Sequence, residues 1–151
     1  MHPDFEAEWQ AGSSTFGLYK FLYTKQVHSA RLPTVTEPAP PDLVFLGDSK
    51  DIIRGFPADV REDLGGDLRR LQRNQHPLDS APMGSVLPGV FELRADDKDF
   101  WYRVVYHMRG GVVYVLHCFT KKTNKTHRGD IELARRRLGD LKQQLTKTKK
   151  R

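Results

Sequence analysis

The sequence predicts an α+β domain, with a small antiparallel sheet packed with an N-terminal helical hairpin and a C-terminal helix. Three observations predict it. Three strand-like runs follow one another at residues 90–94, 100–108 and 112–120, rich in Val, Tyr and Phe, the residue types that suit a pleated, half-buried surface. Val60, Leu64, Leu68 and Leu71 recur at spacings of four, four and three, one apolar stripe of a helix. Ile131, Leu133, Ala134, Leu138, Leu141 and Leu145 outline an amphipathic final helix. Strands and helices that are segregated along the chain argue for a small sheet with helices packed against it.

Residues 1–41 read as an extension. An aromatic-rich piece at 16–23 is followed by Pro33, Pro38, Pro40 and Pro41, and because proline removes backbone donors and fixes φ, that stretch reads as a linker. The body occupies residues 42–151. It opens with a short apolar strand at 43–46, ended by Gly47. Asp48 and Ser49 are suitable N-caps for a short helix carrying Ile52 and Ile53. Phe56-Pro57 restarts the chain as a second helix, since proline is well tolerated at a first helical position. Gly65-Gly66 lies inside that helix at a cost of about 1 kcal/mol per glycine relative to alanine, and implies close packing or a bend. His76-Pro77 ends the helix, and a loop with Pro82, Gly84, Pro88 and Gly89 leads to the three strands. Arg109-Gly110-Gly111 supplies the positive φ of a tight hairpin, so the last two strands are expected to be antiparallel neighbours.

Charge is concentrated at one end of the chain. Residues 119–151 carry twelve Lys and Arg against three Asp and Glu, residues 42–118 ten against twelve, and residues 1–41 three against four. A polyanion, RNA or DNA, would meet the last quarter of the chain first. The run at 147–151 reads as a solvated tail, but lysines at the exit of a core strand do not. There Lys121, Lys122 and Lys125 are interleaved with Thr120, Thr123, Asn124 and Thr126, cations and hydroxyl or amide groups suited to phosphate oxygens.

The lone Cys118 rules out an intramolecular disulfide and, inside an apolar strand, reads as a small core residue. No apolar run approaches the length of a membrane span, and the first ten residues are acidic and polar rather than signal-like. A soluble cytoplasmic protein is the expectation. One cysteine and six scattered histidines fit no common zinc pattern, and no phosphate loop, dinucleotide fingerprint or nucleophile elbow is present. Neither a metal nor a cofactor is expected.

Strand alternation decides which side chains can meet. Trp101, Arg103, Val105 and His107 share one face of their strand, opposite Tyr102, Val104, Tyr106 and Met108. Glu92 and Arg94 lie together on the preceding strand. Two arginines therefore emerge from adjacent central strands, where each needs a carboxylate, an anion or water. Arg94 and Arg103 are read either as structural ion pairs or as an anion site. His117 is either a hydrogen-bonded core residue or a proton-transfer group. A set of Arg, Lys, Tyr and His is sufficient for RNA cleavage through the 2′-hydroxyl. The nucleophile is internal, so the protein need only orient it, move protons and neutralise the phosphorane.

Together the stretches LVFLGDS at 43–49, FP at 56–57, GVFELR at 89–94, YRVVY at 102–106, VYVLHCF at 113–119, KKT at 121–123, KT at 125–126 and DIELA at 130–134 resemble the phage-derived HigB-like branch of the RelE/ParE toxin superfamily. The resemblance spans about residues 43–145. It implies a RelE-like fold and the toxin of a type II toxin–antitoxin pair, acting as a metal-independent, ribosome-dependent mRNA endoribonuclease. The partners it implies are a cognate antitoxin, often of helix-turn-helix type, together with the ribosome and mRNA. Carried onto this sequence, it marks Arg94, Arg103, Lys121 and Lys122 as catalytic and Lys125, Arg128, Arg135 and Arg136 as RNA-binding. Arg103 is expected to stabilise the transition state and one lysine of the pair at 121 and 122 to transfer a proton. Tyr106 and His117 are lesser candidates. Residues 146–151 carry neither the tyrosine nor the histidine that several such toxins place near the chain end, and residues 1–41 are no part of the compact toxin body. Two other readings stay open: a ParE-like gyrase inhibitor, and a degenerate toxin fold that only binds antitoxin or nucleic acid.

Overall fold

The computed structural model describes residues 42–84 and 87–150; the extension and linker read at 1–41 lie outside the described residues. In chain order the elements are β1 Asp42–Phe45, α1 Ser49–Arg54, α2 Ala58–Gln72, β2 Ser80–Pro82, β3 Val90–Asp96, β4 Trp101–Arg109, β5 Val112–Lys121 and α3 Arg128–Lys149. The strands form one five-stranded sheet in the order β1-β5-β4-β3-β2, and the fold is α+β. Gly110 and Gly111, with φ of 59° and 73°, close the β4–β5 hairpin. No helix among the described residues is long and apolar enough to cross a membrane.

Two details differ from the expectation. β1 pairs with β5 in parallel, so the sheet is mixed. A parallel partner cannot be joined by a tight hairpin, and here the whole of α1, α2 and β2 to β4 intervenes. The loop expected after His76-Pro77 contains β2, which pairs antiparallel with β3 at the sheet edge. Ser80-Ala81-Pro82 has no strand composition, and the edge is where proline's missing N–H is tolerated.

Each face of the sheet carries helices. On one side Ala134, Leu138 and Leu141 of α3 pack with Val90, Val105, Tyr114, Leu116 and Phe119. On the other, α1 packs on β5 and α2 on β3, with Val60, Leu64, Leu68 and Leu71 buried and Phe56 edge-on to Tyr102 at 4.9 Å. Gly65 lies on the same buried stripe, and the helix continues through it. Fully burying each leucine contributes about 1.5–3 kcal/mol.

β5 is not regular. Val115 pairs with Tyr106 and His117 with Val105, so Leu116 is an extra residue, a β-bulge. Arg137 of α3 fastens it: Nη1 donates to the Leu116 carbonyl at 2.9 Å and Nη2 to Asp48 Oδ1 at 2.6 Å. The guanidinium covers Gly47, whose φ of 57° suits glycine. Asp48 does occupy the N-cap position of α1 but makes no side-chain cap bond, because Arg137 takes its carboxylate. Ser49 Oγ instead donates to the Leu46 carbonyl at 2.7 Å. At α3 the cap is His127, whose Nδ1 accepts from the Gly129 N–H at 3.1 Å.

Candidate functional site

Cross-strand register sorts the α3-facing side of the sheet into three rows: Glu92, Val105 and His117; Arg94, Arg103 and Phe119; Asp96, Trp101 and Lys121. Successive rows lie two residues apart, about 7 Å along the strands. Val105 and Phe119 belong to the core beneath α3. The last row is more open, with Asp96 exposed and Trp101 and Lys121 half-buried. Basic side chains thus gather where the apolar cover ends.

Arg94 is half-exposed, and its Nε donates to Glu92 Oε1 at 2.9 Å. Glu92 is 8% exposed, a buried carboxylate held by that charge. Arg103 is also 8% exposed. Its Nη1 donates to the Tyr102 carbonyl at 2.8 Å, to Asp96 Oδ1 at 3.2 Å and to the Ala95 carbonyl at 3.4 Å. Its Nε is buried with no hydrogen-bond partner among the described residues. An unpaired donor on a buried cation is costly and calls for an acceptor.

Lys121 reaches in from β5. Its Nζ donates to the Asn124 carbonyl at 3.2 Å and stands 5.9 Å over the Trp101 ring. Burial lowers its pKa below the ordinary lysine value, and repulsion from Arg103 and Arg94 acts in the same direction, against the opposing pull of Glu92 and Asp96. His117, 5% exposed, donates from Nε2 to Asp130 Oδ1 at 2.8 Å and stacks on Phe119 at 5.7 Å. Its Nδ1 is buried without a partner among the described residues.

The structure brings Arg94, Arg103 and Lys121 together and separates other expected members. Lys122 parts from Lys121: its Nζ stands 4.7 Å over Phe100, whose ring meets Tyr102 on the far face. Tyr106 is also on that far face, where its hydroxyl shares a 3.1 Å hydrogen bond with Ser80 and burial raises its pKa. Lys125 is exposed in the loop after β5. Arg128, Arg135 and Arg136 are exposed on α3, with Arg128 paired to Glu132 at 2.7 Å. Cys118 is fully buried and free, its thiol pKa pushed up by burial.

Sequence reasoning left Glu92, Asp96, Trp101 and Asp130 out of the site. Alternation already placed Glu92 beside Arg94 and Trp101 beside Arg103, which was the available signal. Asp130 carried none, because its contact depends on how α3 enters. Among the described residues, no group of three or more His, Cys, Asp and Glu is arranged to hold a metal ion.

A family model described as Phage derived protein Gp49-like (DUF891) matches residues 51–139. The chain belongs to that family. The matched stretch of this Gp49-like chain includes Arg94, Arg103, Lys121, Lys122, Lys125, Arg128, Arg135 and Arg136. No curated protein matches it. Among solved structures, a double mutant of the E. coli toxin RelE in the free state is similar at 20% identity, over 52% of this chain and 81% of that one, with a TM-score of 0.40.

Proposed function

We propose that this chain is the HigB-like toxin of a type II toxin–antitoxin pair and that it cleaves mRNA on the translating ribosome, in the cytoplasm, without a metal. The observation that carries this reading is the convergence of Arg94, Arg103 and Lys121 on one end of one sheet face. In the reaction the RNA 2′-oxygen bonds to phosphorus and the bond to the 5′-oxygen breaks. The nucleophile loses a proton and the leaving oxygen gains one. Arg103, anchored through Nη1 and with Nε unpaired, supplies the donor for the charge that develops on the phosphorane. Glu92 orients Arg94 toward the same phosphate. Lys121, with its lowered pKa, transfers the proton. Lys122, Lys125, Arg128, Arg135 and Arg136 steer and hold the backbone of the RNA, and an antitoxin silences the protein by covering this basic end.

The test is brief induction of the full chain in growing cells, followed by mapping of mRNA ends. New ends inside translated frames, lost in Arg103→Ala and in Lys121→Ala, are expected. Growth arrest with intact transcripts would overturn the reading in favour of a target such as gyrase, and harmless expression would leave only a binding module.

A further inference from the structure

We infer that the indole of Trp101 is a stacking platform for a nucleobase next to the phosphate held by Arg94 and Arg103. This rests on the nucleotide-binding reading of the site and adds the base contact which that reading lacks. Trp101 opens β4 and keeps accessible surface, whereas the five residues that follow it, Tyr102 to Tyr106, are all buried. It lies on the arginine face, in the row after Arg103 and between Asp96 and Lys121.

Arginine site and indole are thus about 7 Å apart along one strand, within the span of a single nucleotide. An aromatic ring at that distance from a cationic phosphate site has the composition of a single-strand binding surface, where charge follows the backbone and rings take the bases. Lys121 at 5.9 Å from the ring centroid places a cation beside the same indole, so a base stacked there brings its phosphate toward the ammonium. A purely structural Trp101 would shield Lys121 and contact no ligand.

The experiment uses the full chain carrying Trp9→Phe, which leaves Trp101 as the single remaining indole of two. It is titrated with a short 2′-O-methyl RNA, which a 2′-hydroxyl mechanism cannot cleave, and with an abasic version of equal charge. Quenching of the indole by the base-bearing strand and not by the abasic one is expected. Trp101→Ala is expected to weaken binding of the base-bearing strand by about tenfold or more, with Trp101→Phe retaining most of it and neither variant changing abasic binding. The Phe variant and the two-strand comparison on the unaltered indole keep the result independent of whether Trp101→Ala folds. Equal binding of both strands with an unquenched indole would overturn the stacking role and leave the phosphate site standing. No binding of either strand, even at millimolar concentration, would overturn the stacking platform on the isolated chain, while ribosome-dependent cleavage is decided separately by the mRNA ends.

Discussion

Arg94 and Arg103 stand directly opposite each other on β3 and β4, and each is held by a different carboxylate. Glu92 Oε1 lies 2.9 Å from Arg94 Nε, and Asp96 Oδ1 lies 3.2 Å from Arg103 Nη1. Like charges in cross-strand register repel. The two acids relieve that repulsion only in part, since Asp96 is exposed and screened by solvent while Arg103 is buried. On the proposed function, the RNA phosphate would be the third anion.

Arg103→Ala is accordingly expected to lower the rate at which new mRNA ends appear by about 100-fold or more, the usual cost of losing one transition-state donor. Arg103→Lys keeps the charge and loses the planar fork, so it should recover only a small part. Single-turnover cleavage on programmed ribosomes measures both.

The lysines at 121 and 122 should behave differently, because they lie on different faces. Lys121→Ala is expected to reduce cleavage strongly and to flatten the basic limb of its pH profile. Lys122→Ala should only weaken RNA binding and its salt dependence. Removing the nearby cation in Arg103→Ala should move the Lys121 pKa back up, readable by NMR of the labelled lysine. Folding lowers this pKa, so the protonated form is disfavoured in the folded protein. Lys121's contribution to stability therefore improves as pH rises through the window between its folded value and the ordinary lysine value, and worsens as pH falls through it.

Tyr106→Phe removes only the hydrogen bond to Ser80 on the far face. A loss of about 1 kcal/mol of stability with cleavage unchanged is expected. His117→Ala breaks the tie between β5 and the first turn of α3 and opens space beside Phe119. About 2–3 kcal/mol should be lost in urea unfolding, and a rate that falls only in proportion to the folded fraction would mark His117 as structural.

Gly47→Ala is expected to cost about 1–3 kcal/mol. Its φ of 57° disfavours a side chain, and the added Cβ would collide with the Arg137 guanidinium. Arg137→Ala should share most of that loss, and the double variant should lose less than the sum of the two, since one contact is broken by either. Chemical denaturation of the three variants measures this.

Much of the fold was legible in the sequence, because hydrophobic period and turn chemistry are local signals. The stripe from Val60 to Leu71 and the glycine hairpin at 110–111 announce α2 and the β4–β5 pair without knowledge of their partners. β2 was not legible, since three residues with a proline become a strand only through the neighbour they pair with. The capping of α1 was misread for a related reason: Asp48 has the right chemistry, but Arg137, distant in sequence, claims it. At the site, alternation within each strand put Glu92 with Arg94 and Trp101 with Arg103, but that the two arginines share one face follows only from the β3–β4 register. Alternation was not enough for β5, where counting by twos from Val113 would group Val115, His117, Phe119 and Lys121 together, and which of Lys121 and Lys122 lands on the arginine face depends on a bulge that leaves no local mark.

That bulge gives β5 two phases. Up to Val115 the strand is in step with its parallel neighbour β1, and from His117 onward it is in step with the basic end of β4. A straight strand of the same residues would set Cys118 opposite Arg103 and Thr120 opposite Trp101, and would slide Lys121 past the end of β4. A buried thiol and a hydroxyl would then stand where an aromatic ring and an amine now meet the arginines. The single uncounted residue Leu116, pinned by Arg137, therefore sets which half of the strand's chemistry is presented to solvent at the basic end and which half is spent on the core.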